Sequence, residues 1–213
     1  MVVVLDPIST PTLIDLTTLA RVKVILGLGS ETKYDTFLAS AIKSISQRFE
    51  KYLDRGITVA SRIEYFDVLV GRKSFDLYAF PVVFVTSVKN DSLRTFGAGT
   101  ELDPSVYTPS SDNQNTSPDG LLLVDRTRLT SGPRTLQVNY SGGMAATTDE
   151  FVALYPDIAE KADLQVAFIH KRRTTLPTAS VAEGGASVGL DPWELLPETK
   201  DTLNRYRRIP IAV

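Results

Sequence analysis

Tyr34-Asp-Thr-Phe-Leu-Ala-Ser-Ala-Ile-Lys-Ser-Ile-Ser-Gln-Arg-Phe-Glu-Lys-Tyr-Leu-Asp-Arg-Gly56 is the stretch that decides the fold. Its apolar positions are Tyr34, Phe37, Leu38, Ala41, Ile42, Ile45, Phe49, Tyr52 and Leu53. They recur at spacings of three and four, the period of a helix with one face in a core. Ser30 or Asp35 caps its start, and Gly56 suits the left-handed position that ends a helix. Upstream, Thr17 or Thr18 caps a shorter helix over Leu19 to Leu26, which stops at Gly27-Leu-Gly29.

From Ile57 the apolar period falls to two, as in a strand. Val59, Ser61, Ile63 and Tyr65 share one face. Ser74 to Leu77, Val82 to Lys89, Val106-Tyr107, Leu121 to Asp125 and Thr135 to Tyr140 are further strand candidates, and Gly142-Gly143 closes the β region. Residues 108–120 are polar and read as a loop or hairpin tip. Pro156 opens a third helix that runs to about Arg173, with Ile158, Ala162, Val166 and Ile169 on one side. Residues 174–192 read as a mobile loop. Pro197 starts a last short helix with Leu196, Thr199 and Leu203 on one face.

Helices too short to be stable alone flank the strands, so they must pack together. The expected fold is α+β: a small helical bundle of two N-terminal helices, one long later helix and a short C-terminal helix. It carries an inserted antiparallel β domain and an extended C-terminal tail. The expected divisions are an arm over 1–14, a helical body over 15–56 and 150–206, a β insertion over 57–149 and a tail over 207–213.

The 213 residues are 43% hydrophobic and carry a net charge of −2, with mean hydropathy near zero. A core is affordable on that composition, and a globally basic nucleic-acid binder is excluded. The chain has no cysteine, which removes disulfides, thiolate metal sites and cysteine nucleophiles. The opening Met-Val-Val-Val-Leu-Asp-Pro lacks a basic region before its apolar run, so no secretory signal is expected. No run approaches the ~18 apolar residues of a membrane span. A soluble protein made in a cytoplasm is expected.

The chemistry-bearing residues are few. His170 is the single histidine, and its segment Phe168-Ile-His-Lys-Arg-Arg173 supplies neither an orienting partner nor a nucleophile. A helix-end imidazole complementing the macrodipole is the simpler account. Asp112, Asn113, Gln114, Asn115 and Asp119 offer oxygens, but their spacing departs from a calcium loop and Pro118 intrudes. Gly27-Leu-Gly29-Ser30 and Gly97-Ala-Gly99-Thr100 continue into no phosphate-binding motif and read as turns. No catalytic residue, metal or cofactor is expected. Lys171-Arg172-Arg173 reads as a helix-end cluster. Arg205-Tyr206-Arg207-Arg208 joins the last helix to the extended Ile209-Pro-Ile-Ala-Val213, and this end reads as a partner contact. Trp193 is either an anchor for the long loop or an interface hot spot.

Several stretches, in order, resemble the head–tail connector (adaptor or head-completion) proteins of tailed bacteriophages. Leu16-Thr-Thr-Leu-Ala-Arg-Val-Lys-Val-Ile-Leu-Gly27 with the helix ending Phe49-Glu-Lys-Tyr-Leu-Asp-Arg-Gly56 is similar to that family's opening helix pair. Tyr78-Ala-Phe-Pro-Val-Val-Phe-Val-Thr-Ser-Val88 resembles its proline-led strand, and Val138-Asn-Tyr-Ser-Gly-Gly143 the strand closing its β part. Pro156 to Arg173 and Leu196 to Ile209 resemble its third helix and its closing helix with tail. The segment from about Asn90 to Arg134 is longer and more polar than the family pattern, and 174–192 departs from it.

The resemblance implies a structural virion protein at the capsid–tail junction, assembled in the host cytoplasm. It implies a homo-oligomeric ring, usually of twelve copies, that docks under the portal protein and extends the DNA channel. The ring meets the next neck or tail protein, lets double-stranded DNA pass without sequence-specific binding, and has no membrane partner. The same resemblance places Arg205, Tyr206, Arg207, Arg208 and Ile209 at the portal. Other neck or tail-completion proteins (stopper or terminator) and a β-rich binding module are the alternative readings.

Overall fold

The computed structural model describes residues 11–109, 116–175 and 194–209. These fall into two compact units. One takes in 14–53, 147–175 and 194–207, and the other 11–13, 54–109, 116–146 and 208–209. The chain is mixed α+β, as its patterning implies.

The first unit is helical. Helix α1, Leu19–Leu26, starts where the Thr18 side chain accepts from the Arg21 amide. It ends at Gly27, whose φ of 67° lets its amide reach the Lys23 and Val24 carbonyls. Helix α2, Asp35–Leu53, buries Leu38, Ala41, Ile42, Ile45, Phe49 and Leu53, the stripe its sequence spaces for that purpose. It also buries Ser46, whose hydroxyl donates to the Ile42 carbonyl and accepts from the Leu16 amide, fixing the entry to α1.

Helix α3, Thr148–Leu154, precedes the expected third helix. Its signal is the Thr147-x-x-Glu150 spacing, with the Thr147 side chain accepting from the Glu150 amide. Tyr155 then breaks the helical conformation, and α4, Pro156–Thr175, begins. Helix α5 is Pro197–Asn204 and buries Thr199, Thr202 and Leu203. Helix α4 packs against each of α1, α2, α3 and α5, which is why it buries residues on more than one side. Gln165, fully buried, accepts from the Leu196 amide and donates to the Glu194 carbonyl, so it holds the approach to α5.

The second unit has two three-stranded antiparallel sheets. Strand β6, Gly132–Gly142, lies between β1, Ala60–Val68, and β3, Val82–Asn90. Strand β5, Leu121–Val124, lies between β2, Ser74–Asp76, and β4, Tyr107–Pro109. Phe66, Val68, Phe75, Leu77, Val88, Leu122, Val124, Leu136, Val138 and Tyr140 fill its core.

Strand β1 alternates as expected, but its buried face is Arg62, Glu64, Phe66 and Val68 rather than the 59/61/63/65 face. Apolarity alone points to the wrong side here, because Arg62 and Glu64 are buried with partners in place. Gly142 and Gly143 close the sheet by close approach: a Cβ on Gly143 (φ 145°) would sit 2.5 Å from the Thr58 backbone. Residues 110–115, 174–192 as a loop, Trp193 and the tail from Pro210 lie outside the described residues, in whole or in large part.

Candidate functional site

The C-terminal segment is anchored at alternate residues. Arg205 continues α5 with helical dihedrals and is exposed. The Tyr206 hydroxyl donates to Asp157 Oδ2 at 2.9 Å, and its ring meets Tyr155 edge-on at 5.8 Å. Burial and the Asp157 carboxylate push the Tyr206 phenol above its ordinary value. Arg207 is exposed, with its guanidinium 5.5 Å from the Tyr52 ring centroid.

Arg208 turns inward within the β unit. It is buried, donates to the Asp76 carbonyl at 2.9 Å and stands 6.0 Å from the Tyr78 ring. Ile209 follows and is 82% exposed. The five residues placed at a partner contact by sequence therefore split into three outward side chains, Arg205, Arg207 and Ile209, and two anchors, Tyr206 and Arg208.

Arg208 leads to a buried polar cluster that the sequence reading missed. Glu64 is fully buried on β1. The Tyr140 hydroxyl donates to its carboxylate, and the Tyr78 amide donates at 3.0 Å. The Ala79 amide donates in turn to the Tyr140 hydroxyl at 2.9 Å. Burial pushes the Glu64 carboxyl up to about 7, against the opposing pull of those two hydrogen bonds and of the Arg208 and Arg62 charges. Burial and Glu64 also push the Tyr140 phenol well up. The one sequence cue was an acid on an alternating strand with Arg62 two residues before it, which by itself reads as solvent-facing.

The cluster has the perturbed carboxyl of an acid–base site but lacks its access and its nucleophile. Its four strongest partners are structural, and it ties β1, β6 and the segments around Asp76 and Arg208 together.

His170 is buried, packs edge-on against Tyr34 at 4.8 Å and lies 6.1 Å from Phe37. Burial and the nearby Arg173 charge push it below its ordinary value, so it is neutral at pH 7. Aromatic packing, not the helix macrodipole, accounts for it. Arg172 and Arg173 lie over the Phe168 and Phe37 rings at 5.6 and 4.6 Å. Among the described residues no three acidic or histidine side chains converge as a metal-ligand set. No described helix is long and apolar enough to cross a membrane.

No family model matches this sequence, and no curated protein matches it. Solved structures share its fold from end to end. One is a chain in the neck of an empty gene transfer agent (GTA) particle computed with C6 symmetry. It is 15% identical, with a TM-score of 0.58, over 100% of this chain and 98% of that one. Another is a chain in the virion of the native GTA particle, at 16% identity and TM-score 0.56 with the same coverage. A third comes from the neck of the native GTA particle computed with C12 symmetry, at 15% and 0.50, also with that coverage. Over its whole length, this chain has the fold of chains from the neck and the virion of gene transfer agent particles.

Proposed function

We propose that this chain is a structural, non-enzymatic protein of a virion neck. It forms a ring of twelve copies that docks under the portal at the capsid–tail junction. The ring extends the channel through which double-stranded DNA passes without sequence-specific contact, and it presents a surface to the next neck or tail protein. Assembly takes place in the host cytoplasm.

The observation that carries this reading is the end-to-end correspondence with neck chains, in particles computed with C6 and with C12 symmetry. Cyclic symmetry is what identical subunits produce when a head-to-tail contact closes on itself. The C-terminal segment supports the portal contact. Tyr206 and Arg208 fix its course, and Arg205, Arg207 and Ile209 stand outward as two cations and one apolar side chain.

The test is light scattering of the purified full chain, alone and with its portal ring. A variant carrying R205E, R207E and I209D leaves both anchors intact, which a truncation at Leu203 does not. Wild-type protein is expected to bind the portal and the triple variant to lose binding. Equal binding by both removes these residues from the contact. No association by either, with intact portal, moves the chain to a more distal neck or tail-completion role.

A further inference from the structure

One end of the first sheet of the β unit is built as a rigid, adhesive edge. Val68 of β1 pairs with Gly132 of β6, and Asn90 of β3 with Leu136 of β6. Three connections therefore crowd together: that leaving β1, that leaving β3 and that entering β6. Hydrogen bonds lock them. The Asp67 carboxylate accepts from the Arg134 amide at 2.8 Å. Asn90 accepts from the Thr130 amide at 2.6 Å and donates to the Thr135 carbonyl at 3.0 Å. The Asp91 carboxylate accepts from the amides of Leu93, Thr95 and Phe96 at 2.7 to 2.9 Å. The Tyr65 ring meets Phe96 at 5.3 Å and the Arg134 guanidinium at 5.0 Å.

Arg94, Phe96 and Arg134 all hold left-handed backbone, with φ of 61°, 49° and 52°. Each costs on the order of 1 kcal/mol, a strain that this bonding sustains.

Such an edge presents apolar tips in a basic rim. Leu69, Val70 and Leu93 are 56%, 92% and 79% exposed. Segments 69–73, 93–96 and 126–134 contain six basic residues and no acidic one. Lys73, Arg94, Arg126, Arg128 and Arg134 are exposed, and among the described residues none forms a salt bridge. The flanking Asp67, Asp91 and Asp125 accept from backbone amides and offset part of this charge, Asp125 against Arg126 and Arg128, which leaves Lys73, Arg94 and Arg134 as the excess. Three protruding aliphatic side chains add nothing to a phosphate contact, so a protein surface fits better than DNA.

The complementary surface exists on this same chain. Residues 148–161, from α3 into α4, hold Asp149, Glu150, Asp157 and Glu160 against a single base, Lys161. Leu154 lies among them, 58% exposed.

We propose that the basic sheet end of one copy, with Val70 and Leu93 at its tips, docks on the acidic α3–α4 corner of the next copy around Leu154. The contact is heterologous, the kind from which a ring is made. It rests on the ring reading above and assigns the ring's two adhesive faces.

The absence of native cysteine makes the test direct, since V70C and L154C each introduce a sole thiol. The two full-length variants are mixed and treated with a short bismaleimide. The mixed V70C–L154C product is expected to exceed both same-variant products. Adding R94E and R134E to the first variant lowers it roughly tenfold, and adding D149R and E160R to the second restores it. That rescue separates a lost contact from a lost fold.

Products in statistical proportion, or reversal without effect, overturn the assignment. So does binding of a short double-stranded DNA that R94E/R134E abolishes while the charge swap rescues nothing. Statistical cross-linking by a protein that light scattering shows to be a ring defeats these faces alone. Specific cross-linking by a protein that remains monomeric at low concentration keeps the faces and places ring closure on the portal.

Discussion

Glu64 is a carboxyl that burial holds far above its ordinary range. Its folded value of about 7 stands above its ordinary 4.5 because the anion is cut off from water. Linkage then fixes the sign. The stability due to neutral, buried Glu64 is complete below 4.5 and is lost as pH rises through 7. The gap corresponds to a loss on the order of 3 kcal/mol. Urea unfolding at about pH 5 and about pH 8 is expected to show this difference in the wild type and its disappearance in E64Q. An R208Q variant should carry the loss to higher pH, since the Arg208 charge favours the Glu64 anion and so restrains the carboxyl's rise. Removing that restraint raises the folded value further, so the loss still begins near 4.5 but runs on to a higher pH; an unchanged or lower end point contradicts the Arg208–Glu64 coupling. None of this was legible at the residue scale, where an acid on a strand reads as the wet face. What reverses that reading is long-range pairing: Tyr140, which receives the Ala79 amide, is 76 residues away from Glu64 in the chain.

At the scale of elements, local signals served well wherever they were sufficient. Thr18 and Gly27 bound α1, and the stripe of α2 faces the helical core, because caps and amphipathic spacing act within a turn or two. Pro156 does mark the start of α4, but the two turns of α3 escape a reading that looks no further back, because Thr147 caps a separate helix just before it. Least legible was the tie between α1 and α4. Asp163, 1% exposed, accepts from Arg21 Nε at 3.1 Å and from its terminal nitrogen at 2.8 Å, and from the Thr17 hydroxyl as well. Arg21 keeps 40% of its side chain in water, so D163A strands no buried cation. It does remove the acceptor of three bonds. A destabilisation of about 2 to 3 kcal/mol is expected in urea unfolding, with α1 losing amide protection before α2. A cost below the error of the measurement would mean that apolar packing alone seats α1.

For the whole molecule, the order of helices, strands and helices was enough for the α+β architecture, while assembly faces depend on which side chains remain outside. If copies meet through the basic sheet end and the acidic α3–α4 corner, salt should weaken their association. Raising ionic strength from ~0.1 M to ~1 M shortens the screening length from about 10 Å to about 3 Å. Sedimentation of the full chain is expected to shift toward smaller species over that range, and an assembly that tightens instead points to a purely apolar contact. The closing of the β unit has a different consequence. The Met144 amide donates to the Ile57 carbonyl at 2.7 Å and the Val59 amide to the Ala145 carbonyl at 2.8 Å, so the segments that enter and leave the unit are clipped together in parallel. Opening the β unit from this end has to break those bonds, so residues 57–59 and 144–145 come apart together rather than one after the other.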